Sequence, residues 1–122
     1  MEVSIQHADG IVRVEIRNRE SADETRAVAE ATFAEIERSG ARAALMRIRD
    51  SRPIFKVESY GLSGILERIA AYDGLRVAVV ADDAELHAAH QYVEVLARQR
   101  GVPYRAFRTE EEALAWLTPA AR

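Results

Sequence analysis

Cysteine is absent from the 122 residues, which excludes disulfides, thiolate catalysis and cysteine-held metals. Redox chemistry therefore says nothing about compartment. No stretch approaches the roughly 18 consecutive apolar residues of a membrane-spanning helix. The amino terminus, Met1-Glu2-Val3-Ser4-Ile5-Gln6-His7, has no basic flank leading into an apolar run. The expectation is a water-soluble cytoplasmic chain with no membrane span. An excess of basic charge is also lacking: 17 Lys and Arg against 20 Asp and Glu leave a net charge of -3, which disfavours nucleic acid as a partner. Low-complexity segments, single-sign charge blocks and internal repeats are missing too, so no long disordered region is expected. The length is that of one domain, expected over 1–117 with a loose tail over 118–122.

What is present is a hydrophobic content of 48% with 30% charged residues, the balance of a globular α/β protein. Val3 and Ile5 alternate with polar neighbours, Asp9-Gly10 is a hairpin signal, and Val12 to Arg17 alternates again. The chain should open with an antiparallel hairpin. Ser21 with Glu24 forms a capping box, and Val28, Ala29, Thr32, Phe33 and Ile36 then recur at helical spacing until Ser39-Gly40. Ala43 to Ile48 reads as a central strand, and Asp50-Ser51-Arg52-Pro53 as the turn after it. Leu62, Ile65, Leu66 and Ile69 make a second helical stripe, and Leu75 to Val80, nearly all apolar, reads as the innermost strand.

Asp82 or Asp83 can cap a third helix in which Leu86, Ala89, His90, Val93, Leu96 and Ala97 share a face, with His87 turned to solvent. Val102 to Phe107 suits a short edge strand, and Thr109 with Glu112 repeats the capping box before a last helix carrying Leu114, Trp116 and Leu117. The glutamates of its first turn suit the helix dipole. The predicted fold class is α/β: an N-terminal β-hairpin, then alternating helices and strands, giving a mostly parallel mixed five-stranded sheet and about four helices.

That order of elements, together with Glu58-Ser59-Tyr60-Gly61-Leu62 followed by Ile65-Leu66, resembles the STAS family, named for sulphate transporters and anti-sigma-factor antagonists. The similarity is greatest to its small single-domain bacterial branch, and Glu111 to Leu117 resembles that branch's last helix. The sporulation-type anti-sigma antagonists of that branch carry Asp-Ser-Ser-Gly-Leu at this place, where phosphorylation of the second serine adds a charge of about -1.5 to -2 and breaks association with an anti-sigma kinase. Tyr60 stands at that position here, so the resemblance implies the partner-binding scaffold without its usual phosphoacceptor. Ser59 and Ser63 remain as phosphorylation candidates. Other branches on this architecture bind small lipidic or apolar molecules.

The expected function is a non-enzymatic regulatory or protein-interaction domain. The alternative is a binding module for a small apolar or anionic ligand. For either, the expected site is Arg49, Arg52, Phe55, Lys56, Glu58, Ser59, Tyr60, Gly61 and Ser63. In the anionic version Arg47, Arg49, Arg52 and Lys56 supply the cations, while Gly61 and Gly64 let the backbone come close. In the apolar version Ile54, Phe55 and Tyr60 form a wall; these side chains can equally pack into the core or meet a partner. No catalytic residue, metal or cofactor is assigned. Gly61-Leu62-Ser63-Gly64 fails the Gly-x-Ser-x-Gly elbow, and His87, His90 and Glu94 lack metal-site spacing. The expected partner is a protein, with a small molecule or a second copy in a homodimer as alternatives.

Overall fold

A computed structural model describes residues 1–81 and 83–118. Its elements run β1 (Glu2–Ala8), β2 (Ile11–Arg17), α1 (Ala22–Ser39), β3 (Ala43–Arg49), a 3-10 turn (Val57–Tyr60), α2 (Leu62–Ala71), β4 (Arg76–Val80), α3 (Ala84–Gln99), β5 (Tyr104–Phe107) and α4 (Glu110–Leu117). The five strands lie side by side in chain order, β1-β2-β3-β4-β5. The first pair is antiparallel and the others are parallel, as the alternation of strands and helices required.

Local chemistry sets most of the boundaries. Asp9 and Gly10 both take positive φ, 56° and 78°, which is the two-residue turn whose twist matches a hairpin, and Ala8 pairs with Ile11 across it. Ser21 and Glu24 form both halves of the capping box at α1, which ends at Gly40 in the left-handed conformation. At α3, Asp83 accepts from the Leu86 N–H at 3.0 Å. Asp82, the other aspartate expected there, lies outside the described residues, as does the expected loose tail beyond Thr118.

Each crossover moves one strand in the same direction, so right-handed connections bring α1, α2 and α3 to one face of the sheet. Val12, Val14 and Ile16 of β2, Ala44 and Ile48 of β3, and Val77 and Val79 of β4 meet them there. The opposite face carries Ile11, Ala43, Leu45, Ala78 and Val80, covered by Ala113 and Leu117 of α4. The central strands therefore read as continuous apolar runs, because both of their faces are covered. β4 is buried throughout its last four residues, yet β3 holds the middle of the strand order, which corrects the expectation that β4 is innermost. Outside the core, α1 and α2 are tied by Arg68, which pairs with Glu30 at 2.8 Å and lies 4.2 Å above the Phe33 ring. Phe33 in turn stacks on Tyr72.

Candidate functional site

The three crossover helices leave a cavity of about 90 Å³ against the sheet. Ile16, Met46, Ile48, Val77 and Val79 form its floor, and Phe33, Ile36, Ile65, Ile69 and Val93 form walls from α1, α2 and α3. Ile54 closes one side, so this side chain of the loop after β3 turns inward.

Six side chains with polar atoms line this apolar space: Arg19, Thr25, Thr32, Tyr60, His90 and Tyr104. Arg19 follows the end of β2 and is 4% exposed. Its backbone and side chain tie down the loop after β3: its N–H donates to Ser51 Oγ at 3.1 Å, its carbonyl accepts from the Arg52 N–H at 2.9 Å, and Nη2 donates to the Arg52 carbonyl at 2.5 Å. Nε is left buried without a hydrogen-bond partner. Burial pulls its pKa below the usual value, with Tyr60, Tyr104 and Glu24 opposing. A guanidinium stays charged even so.

His90 Nδ1 shares a 2.8 Å hydrogen bond with Tyr104 Oη, while Nε2 is buried without a partner. Burial, reinforced by the charge of Arg19 and by His87, lowers the His90 pKa to about 3, so the ring is neutral at pH 7. Burial raises Tyr60 to about 12 and Tyr104 well above its ordinary value. Both phenols are therefore protonated at pH 7. With the hydroxyls of Thr25 and Thr32, the site holds one permanent cation and five neutral polar groups in a wall of carbon.

The residues expected to form one cluster are divided. Tyr60 is 7% exposed and lines the cavity, so it is not part of an outward partner face. Arg49 and Arg52 border a separate polar hollow at the carboxyl end of β3, with Glu20, Asp50 and Asp83. Strand alternation explains this separation. Arg47 and Arg49 share parity with Ala43 and Leu45, whose side chains face α4, and Arg47 pairs with Glu110 at 3.3 Å.

The start of α2 also differs from expectation. Glu58 accepts from Ser63 N–H at 3.2 Å and from Ser63 Oγ at 2.6 Å, which holds its carboxyl below the usual range. The protein's own carboxylate thus occupies the place where a bound anion would meet the helix. Arg100 Nη2 donates to Ser63 Oγ at 3.1 Å, and Ser59 Oγ donates to the Lys56 carbonyl at 2.6 Å. Both hydroxyls are engaged locally. Gly61 takes φ 80° between the 3-10 turn and α2, and a Cβ there would meet no atom within 4 Å. The left-handed backbone, and not close approach of a ligand, is what requires glycine. Gly64 likewise has open space where a Cβ would sit. Lys56 and Phe55 remain outside, with Phe55 52% exposed.

Arg19 was not legible as a site residue. In the run Arg17-Asn18-Arg19-Glu20 it looks like one more solvated charge, and only the return of the 51–52 loop over it makes it buried. Tyr104 stood only for an edge strand. His87, expected to face solvent, is 8% exposed, because α3 lies deep enough to bury residues on both sides of its apolar stripe. Among the described residues no three His, Asp or Glu side chains gather to hold a metal. No helix among them is long and apolar enough to cross a membrane. No protein-family model matches the chain, and no functionally curated protein matches it significantly.

Proposed function

We propose that the chain is a cytoplasmic, non-enzymatic binding module of STAS-like type, and that it takes a small, mostly apolar molecule into the cavity beneath α1, α2 and α3. The observation that carries this reading is the cavity itself: a space of about 90 Å³ in a well-packed core, lined almost wholly by carbon, with a few convergent polar groups. The strand and helix order and the Gly61-Leu62 entry to α2 support the STAS resemblance. The anionic alternative at the α2 amino terminus loses support, since Glu58 fills that position. The non-enzymatic reading is supported by the local use of the two serine hydroxyls and by His90 pairing with Tyr104 rather than with a nucleophile.

A native mass spectrum of the purified chain tests the reading. A reproducible non-covalent adduct that disappears in Ile54→Trp, which fills the cavity side of the loop, is the expected result. An adduct that survives the substitution in a folded variant places the ligand elsewhere and sinks the reading.

A protein-interaction role is favoured by one observation, the 52% exposure of Phe55 beside Lys56 and Glu58 in the same loop. An exposed aromatic flanked by charges suits a contact surface. Phe55→Ser is expected to leave the thermal midpoint within about 2 °C and to weaken any protein association seen in pull-downs at least tenfold. Association of unchanged strength would remove this loop from the interface.

A further inference from the structure

We propose, resting on the binding-module reading, that the cavity ligand is a short apolar carboxylate whose oxygens accept hydrogen bonds from Arg19 Nε and His90 Nε2. Both nitrogens belong to side chains lining the cavity, both are buried, and neither has a hydrogen-bond partner. Leaving such groups unpaired costs stability, most of all for a charged one, and an acceptor taken into the space that both side chains line would relieve both. Arg19 is the stronger indication. Its Nη2 is used by the Arg52 carbonyl, and among the described residues no carboxylate forms an ion pair with it.

The remaining chemistry narrows the ligand. One guanidinium balances one negative charge, which matches a carboxylate and falls short for a doubly charged phosphate in a wall of carbon. The hydrogen bond between His90 Nδ1 and Tyr104 Oη can run either way, and a carboxylate at Nε2 selects the tautomer in which Tyr104 Oη donates and the ring proton sits on Nε2 as a second donor. Tyr60 and Tyr104, both protonated at pH 7, add no negative charge beside Arg19, and the charge of Glu24 reaches it without forming an ion pair. The volume sets the size. A space of about 90 Å³ equals the share of about three waters in the liquid, below the roughly 150 Å³ of a cavity that admits benzene. A chain of about four carbons fits better than a long fatty acid or an aromatic ring.

Butyrate and its neutral counterpart 1-butanol separate this assignment from the reading it rests on. Each is titrated into the full chain, following amide chemical shifts. Wild type is expected to bind butyrate at least about tenfold more tightly than 1-butanol, the worth of about one charge-assisted hydrogen bond. Arg19→Met, checked for folding by circular dichroism, is expected to bind the two equally. Butanol bound as well as butyrate by wild type would overturn the carboxylate assignment and leave the apolar site standing. No response to either compound would overturn both. Because Arg19 also anchors the Arg52 carbonyl, Arg19→Lys serves as a second variant. It keeps the charge but has no Nε–H fork, and is expected to weaken butyrate several-fold with butanol unchanged. Unchanged butyrate affinity in Arg19→Lys would remove Nε from the site.

Discussion

Phe33→Ala is expected to lower the stability of the domain by about 3–5 kcal/mol, near the upper end for a single core truncation. Phe33 is 4% exposed, forms a wall of the cavity, stacks on Tyr72 and carries the Arg68 guanidinium above its ring. Truncation removes the transfer energy of the ring and the stacking and cation–π terms together. It also enlarges a space that already exists, so neighbouring side chains have little to collapse onto. Urea unfolding followed by tryptophan fluorescence and circular dichroism, with an unchanged m-value, is the measurement. A loss below about 1 kcal/mol would mean that α1 settles onto the sheet and closes the cavity, and the wall assigned here would then be wrong.

Stability should also fall by about 2 kcal/mol between pH 7 and pH 5, with His90 as the source. In the folded chain burial, helped by Arg19 and His87, lowers the His90 pKa to about 3 from an ordinary 6.5. Below pH 6.5 the unfolded chain takes up a proton that the folded chain refuses, so unfolding is favoured as pH drops. The loss approaches about 1.4 kcal/mol per pH unit and continues until the folded pKa is reached. Glu24, Glu35 and Glu58 have pKa values lowered by their hydrogen bonds, so their contribution is present above their ordinary 4.5 and fades only below it. Holding the measurement above pH 5 keeps the two effects apart. His90→Gln retains a partner for Tyr104 and is expected to flatten the dependence between pH 7 and pH 5. A slope of the same size in His90→Gln would show that another group carries it.

The fold was far more legible in the sequence than the site, for a physical reason. Asp9-Gly10, the Ser21 capping box and the helical stripe from Val28 to Ile36 are local signals, each satisfied by residues a few positions apart. The order of strands followed because parallel neighbours need crossover helices. Tyr60 and Ile54 were named, but the sequence left open whether they face a partner or the interior. The choice depends on how the 50–57 loop closes over α1. Arg19 and Tyr104 meet across 85 positions, and no local pattern announces that meeting. The arginines at 47, 49 and 52 were grouped by nearness in the chain, whereas strand parity sends two of them towards the α4 side of the sheet. Ser63 was named as a binding and phosphorylation candidate, whereas the reach of Glu58 forward to the first turn of α2 is a geometric fact and not a compositional one.

Strand order equal to chain order bears on how the domain is assembled during synthesis. Every strand after the first finds its partner already made, so growth can proceed from the hairpin outward with no segment waiting for a distant one. Only the α4 side is out of step. Leu45, Ala78 and Val80 are laid down well before Ala113 and Leu117, which cover them. A nascent chain halted before Glu110 would carry a sheet covered on one side and bare and apolar on the other, so the eight residues of α4 set when that face stops being sticky.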